Sequence, residues 1–279
     1  MPAHGRLQLR SLCFTLCVFA IHFTSAKDVG VTFYGPFRLS DEIANAITLM
    51  ALRSWNLLTP QDRIVLYTDN TDACDWLSSN GMGGVRCMVT CRHQELAGLN
   101  VSCILSTTAS LADTDVLCLI NSDIVLLPDF ASVVRHLYAD VQLANPLVVG
   151  QRTDFQVQDV DFSSATWAED LAESAELQGK LHAAWGLDYF VHKRRLWNRF
   201  HIPPFLVGSW RWDNGMLAEA VLDTNVSVID ATPRVHAVHM QKVGAGTLPK
   251  HRDRKFSQYN DMLAQAYSKK QYMLGAILG

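Results

Sequence analysis

The stretch VLCLINSDIVLLPDF, residues 116–130, decides how the chain is arranged. It begins as a continuous apolar run, the pattern typical of a strand that is buried on both faces of a parallel sheet. Asn121, Ser122 and Asp123 then interrupt the run with three polar side chains. In open α/β sheets, ligands bind beyond the carboxyl ends of the strands. We therefore predict that these three residues lie at a strand end and face a ligand site.

Asp123 is the residue of this triplet with the strongest chemical implication. An ionised carboxylate buried at a strand end is costly unless it is paired or bound to a metal. Mg²⁺ and Mn²⁺ are hard cations that take oxygen ligands from protein and from substrate phosphates, so Asp123 predicts such an ion. The alternative is that Asp123 only caps the following turn, and the triplet alone leaves both interpretations open.

Strand-like and helix-like segments alternate around the opening stretch. Apolar strands are predicted at VGVTFYGPF (29–37), RIVLYTD (63–69), GVRCMVT (84–90) and PLVVGQR (146–152). Helices are predicted after Ser40-Asp41-Glu42, at DACDWLSSNG (72–81), at about 104–112 and from Pro128-Asp129 onward. This alternation predicts an α/β fold with a mostly parallel central sheet and helices on both of its faces.

The pattern changes after about residue 150. The segment WAEDLAESAELQGK (167–180) is typical of an acidic, solvent-facing helix or loop, and WGLDYFVHKRRLW (185–197) alternates like a strand. A loop rich in Pro, Gly and Trp (202–211) precedes a helix, and VSVIDATPRVHAVHM (226–240) is typical of one or two more strands. The second half is therefore expected to be mixed or antiparallel. No repeat or linker divides the chain, so residues 27–279 are predicted to form one domain.

The first 26 residues have the organisation of a targeting segment. Three basic side chains precede the apolar run LCFTLCVFAIHFT (12–24), and the small residues Ser25-Ala26 follow it. This pattern predicts a secretory signal peptide, with a short signal-anchor as the alternative. A membrane span needs roughly 20 apolar residues, so the run is short for one. The expected location is the secretory pathway, in the Golgi or ER lumen or else secreted, with membrane association only if the segment stays as an anchor.

The cysteines and the charge agree with that compartment. Of the seven cysteines, Cys13 and Cys17 lie in the predicted signal segment, which leaves five. One or two disulfides with one remaining thiol are expected, and Cys118 in the apolar strand is the candidate for a buried thiol. Asn-Val-Ser sequons begin at Asn100 and Asn225. The net charge of −3, without a long basic block, argues against nucleic-acid binding.

The chain also resembles a known family, the GT-A-fold glycosyltransferases that use nucleoside-diphosphate sugars. The resemblance is greatest to a sparsely characterised branch found in bacteria, plants and algae. It is carried, in the family's order, by FYGPF, SWNLLTP, NSDIVLLPDF, VVGQR, GLDYFV, IPPFLVGSWRWDN and VIDATPRVHAVHMQ. These segments span most of residues 29–241. The resemblance implies a GT-A-like sheet followed by a mixed C-terminal half that faces the acceptor.

The resemblance implies a donor site at the strand ends. Asp123 would bind the metal and the donor diphosphate, with Asn121 in place of the first acid of the family's Asp-x-Asp motif and Ser122 between them. Asp69 would contact the nucleoside; its alternative is a turn aspartate. Arg152, at another strand end, can donate two hydrogen bonds to a phosphate or to a sugar carboxylate. The alternative role for Arg152 is a surface salt bridge.

The metal shell in this family often includes a late histidine, and two candidates occur here. His236 and His239 are three residues apart in a predicted strand, so their side chains point to opposite faces and at most one lines the site. His239 is the better candidate by its position in the resembling segment. Its alternative is a structural histidine, and relatives often carry a further histidine where this chain has MQKVGAG (240–246).

The acceptor side is predicted from two segments. Asp188 in GLDYF would bind a sugar hydroxyl, unless its role is structural. In GSWRWDNG (208–215), Trp210 and Trp212 would pack against sugar rings, and Asn214 would bind a hydroxyl. Asp213 is the candidate base that takes the proton of the acceptor hydroxyl, with a helix N-cap as its alternative.

The function predicted is transfer of a sugar from a nucleoside-diphosphate sugar to an acceptor hydroxyl, assisted by Mn²⁺ or Mg²⁺. The acceptor is a glycan or another hydroxyl compound. The alternative is a carbohydrate-binding protein that kept the fold and lost the chemistry, which Asn121 and the altered tail after His239 favour. A nucleotidyltransferase would need a Gly-rich basic loop after the first strand, and YGPFRLSDE (34–42) is poor in both.

Overall fold

The structure is a computed structural model that describes residues 29–141, 143–156, 160–184, 186–241 and 254–267. The predicted signal segment, the end of MQKVGAG and the C-terminal QYMLGAILG lie outside these residues. The strands are β1 (Val31–Pro36), β2 (Ile64–Tyr67), β3 (Arg86–Met88), β4 (Val116–Ile120), β5 (Ile124–Leu126), β6 (Pro146–Gly150), β7 (Thr153–Gln156), β8 (Lys180–Leu181), β9 (Tyr189–Lys193), β10 (Ser227–Asp230) and β11 (Ala237–Gln241). The helices are α1 (Glu42–Leu58), α2 (Thr71–Ser79), α3 (Val101–Leu111), α4 (Asp129–Arg135), α5 (Trp167–Gln178), α6 (Trp212–Leu222) and α7 (Arg254–Tyr267).

A seven-stranded sheet forms the centre of the molecule, with the strand order β10-β6-β9-β4-β1-β2-β3. Its neighbouring strands pair in parallel, except that β9 runs antiparallel to both β4 and β6. Alternate residues of the strands point to opposite faces, so Phe33 and Tyr34 are both fully buried but belong to different core clusters. Helices α1, α2 and α4 pack on one face, and α3 and α6 on the other. The predicted fold class is confirmed.

The polar triplet is the point at which the chain leaves this sheet and enters a second one. A four-stranded mixed sheet has the order β5-β11-β7-β8. Asn121, Ser122 and Asp123 form the turn between β4 and β5, closed by a hydrogen bond of 3.2 Å from the Ile124 N–H to the Asn121 carbonyl. The strand therefore ends at Ile120, as the sequence predicted, and the apolar residues after the triplet form a separate short strand in the other sheet.

Helix α1 holds that turn in place. Asp41 caps the helix, accepting hydrogen bonds from the first-turn N–H groups. The buried indole of Trp55 donates a hydrogen bond of 2.8 Å to the carbonyl of Ile124, and the N–H of Leu126 donates one of 3.1 Å to the Ser54 hydroxyl. The backbone on the β5 side of Asp123 is therefore bonded to a helix of 17 residues.

A topological switch point lies beside the triplet. From β1 the chain continues to β2 and β3 on one side, whereas β4 lies on the other side of β1. Crevices that bind ligands form where the strand order reverses in this way. A side chain at Gly35 would collide with the carbonyl of Ile120, so glycine lets β1 and the end of β4 approach closely here. The loops after β1 and β4 consequently meet at one edge.

Two disulfides crosslink segments on the side of the sheet that carries β3. Cys74 is bonded to Cys87, and Cys91 to Cys103. Cys118 is the free cysteine within the described part of the chain, and it is fully buried. The expected disulfides and the leftover thiol are thus confirmed, and such disulfides are typical of secretory or lumenal proteins. Among the helices of the described ranges, none combines the length and apolar character that crossing a membrane requires.

The two sequons differ in their surroundings. The side chain of Asn100 caps α3 and accepts the N–H of Cys103 and the hydroxyl of Ser102. The side chain of Asn225 is exposed after α6. Asn225 is therefore the more accessible position for a glycan.

Candidate active site

The carboxyl edge of the central sheet carries a chain of charged side chains that begins at Asp123. His239 in β11 points at this residue, with its Nε2 atom 3.2 Å from Asp123 Oδ2. The other ring nitrogen, Nδ1, lies 2.8 Å from Asp154 Oδ1 in the neighbouring strand β7. Parallel pairing of β11 with β7 sets His239 opposite Asp154 in register, so the contact follows from the second sheet. His182 adds a further contact, 2.9 Å from Asp154 Oδ2.

The protonation of these groups follows from their mutual contacts. Burial opposes a charge on His239, but its hydrogen bonds to Asp123 and Asp154 outweigh burial and raise its pKa. Burial would also raise the pKa of Asp154, yet hydrogen bonds from His239 and Arg152 hold it well below its usual range. Asp154 is therefore a permanent carboxylate at neutral pH, and it orients the His239 ring through Nδ1.

Arg152 connects this cluster to the central sheet. Its guanidinium donates to Asp154 Oδ1 at 2.8 Å and to both oxygens of Asp188 at 2.7 and 2.6 Å. Asp188 is only 4% exposed and also accepts a hydrogen bond of 2.7 Å from the Asn121 amide. The antiparallel insertion of β9 between β4 and β6 brings Asp188 to this edge, because β9 starts where its neighbours end.

The geometry accounts for Asn121, the residue that departs from the family's motif. Asp188 already faces this position at hydrogen-bond distance. A carboxylate at position 121 would place two negative charges against each other, whereas the asparagine amide donates a hydrogen bond. Asn121 thus fits its partner, and its presence does not by itself indicate lost chemistry.

Replacement of Arg152 by alanine is expected to destabilise the protein by about 3–5 kcal/mol, because Asp188 would remain buried without its cation. Urea unfolding measures this change. The double variant Arg152→Ala, Asp188→Asn is the matched control, and it should recover part of the loss because the buried charge is gone. Equal stability of the single variant and the wild type would contradict the buried pairing.

Asp213 lies in the first turn of α6, near enough to Asp188 for the charge of Asp188 to act on it. Burial, with the nearby charge of Asp188, raises its pKa from 3.8 to about 6, although the N–H of Asn214 and the backbone of Leu187 partly offset the rise. A base that must take a proton works best with a pKa near the operating pH. Arg211 occupies the N-cap position, so the alternative that Asp213 caps α6 is wrong.

The other donor-side candidates occupy the same edge. Asp69 follows β2 and lies 3.5 Å from the Arg38 guanidinium, which follows β1. Two strand spacings, about 10 Å, separate β2 from β4, a suitable span for a nucleotide laid across the edge. Ser122 is partly buried within the turn that also carries Asn121. These positions agree with a donor site. That a single donor molecule contacts both Asp69 and Asp123 remains a prediction.

The acceptor-side candidates are placed differently from one another. Trp210 is 50% exposed. Trp212 is buried and its ring packs at 5.9 Å from that of Phe190, so it belongs to the core in this conformation. Asn214 is partly buried beside Asp213, and its Oδ1 is without a hydrogen-bond partner among the described residues. Asp188 is engaged by Arg152 and Asn121, so it holds the site together and does not face an acceptor freely.

Sequence reasoning missed Asp154 and His182. Asp154 lies two residues after Arg152 in RTDFQ, a segment whose apolar content is too low to predict a strand. His182 lies in a loop region, away from any recognisable motif. A signal for Asp154 did exist, since polar residues just beyond a predicted strand end are candidates for a site at that edge.

The side chains fit a divalent ion that is completed by a ligand. Across the ranges that the structure describes, no group of three or more His, Cys, Asp or Glu side chains is arranged to hold a metal alone. Asp123 Oδ2 and His239 Nε2 nonetheless lie 3.2 Å apart, and they would supply one oxygen and one nitrogen ligand once Nε2 has given up its proton. Mg²⁺ and Mn²⁺ commonly bind one or two protein groups and take the rest of their shell from phosphates and water. Asp154 would then orient the metal-binding histidine, as carboxylates often do.

The seven-stranded sheet with its flanking helices has the GT-A fold that is found in glycosyltransferases. The structure is similar to that of GalNAc-T7, solved with UDP, GalNAc and Mn²⁺, with a TM-score of 0.55 and 13% identity. The match covers 88% of this chain and 49% of that chain, so this chain spans about half the length of that one.

A further match, to residues 1–349 of TarS from S. aureus, has a TM-score of 0.46 and 10% identity over 76% of this chain and 60% of that one, too low to support an argument. No family model and no curated protein sequence matches the chain. The structural likeness, at this identity, concerns the fold alone.

Proposed function

We propose that this protein is a glycosyltransferase that moves a sugar from a nucleoside-diphosphate sugar to an acceptor hydroxyl. The observation that carries the proposal is the contact of Asp123 with His239 at the switch point, connected through Asp154 and Arg152 to Asp188, whose negative charge acts on Asp213. A site for an anionic donor and a carboxyl group with a pKa of about 6 thereby share one edge of the sheet. Residues 27–279 act in this proposal as a single catalytic domain.

Each residue has a distinct role in the reaction. Asp123 and His239 would hold Mn²⁺ or Mg²⁺, which supplies electrostatic stabilisation of the negative charge on the departing diphosphate. Arg152 keeps the carboxylates of Asp154 and Asp188 in place and adds positive charge to the edge. Asp213 takes the proton of the attacking hydroxyl, and burial keeps its pKa high enough for that task. Asp69 contacts the nucleoside, and Trp210 offers a ring to the acceptor.

The compartment in the proposal is the lumen of the secretory pathway, in the Golgi or the ER, and the acceptor is a glycan or another hydroxyl compound. The two disulfides support an oxidising location. The predicted signal segment supports the same location from the sequence.

Thermal shift with a panel of nucleotide sugars, with and without Mn²⁺, tests the proposal. UDP-sugars come first, because the similar GalNAc-T7 structure was solved with UDP. A ligand at 100 times its Kd stabilises the native state by about 2.7 kcal/mol and raises the midpoint accordingly. The sugars that bind are then tested for transfer and for hydrolysis.

Two outcomes would contradict the proposal. If no nucleotide sugar shifts the midpoint, the donor site is wrong. If calorimetry shows glycan binding that needs neither nucleotide nor metal, and no turnover follows, the protein is a carbohydrate-binding module on the same fold. The variant Asp129→Asn, which alters the separate pair of Asp129 with His236 outside the site, is the control that should respond like the wild type.

A further inference from the structure

The segment that leads into α6 is held in an unusual conformation. We call residues 205–211 the acceptor loop; this name and the inference below rest on the proposed function. Gly208 and Arg211 have positive φ angles of 87° and 85°. Such a φ is ordinary for glycine but costs a residue with a side chain about 1–3 kcal/mol, and it persists only where the surroundings hold it. Arg211 immediately precedes the helix turn that carries Asp213.

The surroundings that hold the acceptor loop come from α7, and chiefly from Asn260. This side chain is fully buried and makes three hydrogen bonds to the loop backbone. Its Oδ1 accepts the N–H of Leu206 at 2.8 Å, and its Nδ2 donates to the carbonyls of Leu206 and Trp210, each at 2.9 Å. The single amide of Asn260 is therefore hydrogen-bonded to the backbone near both ends of the loop.

The next residue of α7 bonds the strained position directly. Arg211 donates through Nε to Asp261 Oδ1 at 2.8 Å. One turn earlier, the hydroxyls of Ser257 and Ser209 lie 2.9 Å apart. Packing of α7 is provided separately by Phe256, which is 6% exposed and lies against Gly98. If position 260 only had to pack against its neighbours, an apolar side chain would be less costly in free energy to bury than an amide. The polar contacts of Asn260 therefore indicate that it also holds the loop backbone.

We propose that Asn260 is a positioning residue, which through the backbone of the acceptor loop sets the placement of Trp210 and of the base Asp213. Asp261 supports the same junction through Arg211. Asn260 does not contact the reacting atoms. Its effect reaches the reaction because small displacements of a catalytic group, on the order of 1 Å, reduce rates by about 10²-fold.

The test compares Asn260→Leu, which keeps the branching of the side chain and removes the hydrogen bonds, with Phe256→Leu, which weakens the packing of α7 and leaves those bonds intact. Asn260→Leu is expected to lower kcat/KM for the acceptor by about 10- to 100-fold, through a higher KM and a lower kcat. The Kd of the donor nucleotide should stay within about twofold, because the donor edge is unaffected. Phe256→Leu should lower Tm with little effect on kcat/KM.

Hydrogen exchange adds a readout that does not require activity. The amides of residues 205–211 should exchange about tenfold faster in Asn260→Leu than in Phe256→Leu. The milder variant Asp261→Ala, at a partly exposed position, covers the case that Asn260→Leu does not fold, and it should change the same measurements less. Unchanged exchange of the loop, or equal effects of Phe256→Leu, would overturn the proposal. If the wild type transfers no sugar, the proposed function fails, whereas the exchange comparison still decides whether α7 holds the loop.

Discussion

Replacement of Asp213 by asparagine is expected to lower the rate of sugar transfer by about 10²- to 10⁴-fold, the usual contribution of a positioned general base. Asparagine keeps the size of the side chain and an oxygen that can accept the Asn214 N–H, but it cannot take a proton. The wild-type kcat/KM should rise with pH and level off above a midpoint near the pKa of about 6. In Asp213→Asn the residual activity should lose that midpoint.

The same variant should be more stable than the wild type at neutral pH. The folded protein holds a proton on Asp213 up to about pH 6, whereas the unfolded chain releases it near 3.8. The group therefore favours folding below about pH 4, and this contribution is lost as the pH rises to about 6. A rise in pKa from 3.8 to about 6 corresponds to roughly 3 kcal/mol against the charged form, which asparagine avoids.

Thermal unfolding at pH 4 and at pH 7.5 measures this second effect, and Asp223→Asn is the matched control. Asp223 ends the same helix, and its pKa is lowered by the N–H of Asn225 and by Arg199. Its replacement should leave transfer unchanged and should not raise Tm. Wild-type turnover of Asp213→Asn would show that Asp213 is not the base, and a lower Tm than the wild type at pH 7.5 would contradict the raised pKa of Asp213.

Asp123→Asn carries the second large expected effect, a loss of about 10²- to 10³-fold in transfer. The amide keeps the shape of the turn but cannot neutralise a divalent ion, so nucleotide binding should also lose its dependence on Mn²⁺. Calorimetry with the nucleotide that the wild type binds, with and without Mn²⁺, measures this directly.

Asp129→Asn is the control for the Asp123 prediction. Asp129 also pairs with a histidine, at 2.5 Å between its Oδ2 and Nδ1 of His236, whereas Asp123 faces Nε2 of His239. His236 also contacts Glu176 on α5, so that second pair ties helices together. Retained Mn²⁺-dependent binding in Asp123→Asn, or its loss in Asp129→Asn, would mean that the ion site lies elsewhere.

Much of the fold could be predicted from local sequence pattern. The apolar runs that became β1, β2, β4 and β6 are continuous because these strands are buried on both faces, and α1 begins one residue after a capping aspartate. Such signals act between neighbours in the chain, so they can be recognised without knowledge of the tertiary structure. The same reasoning found Asp123 because a carboxylate at the end of a buried run is conspicuous.

The relations between distant segments could not be predicted in this way. Asp188 meets Asn121 only because β9 inserts antiparallel between β4 and β6, and Trp212 is turned into the core by the packing of α6. Asp154 reaches His239 through strand pairing in a second sheet whose strands are two to five residues long. Short strands carry little periodicity, so neither their pairing nor their register is visible in the sequence.

The sequence by itself determined the alternation of strands and helices, the carboxylate at the end of β4, and a number of cysteines suited to an oxidising compartment. Local hydrophobic periodicity and residue chemistry suffice for those features. Only the tertiary structure decided which charged side chains share one edge, that Asp213 is buried enough for its pKa to reach about 6, and that α7 supports the segment before it. The physical reason is that burial and pairing depend on what the fold brings near a residue, such as His239 beside Asp154 although they are 85 residues apart along the chain.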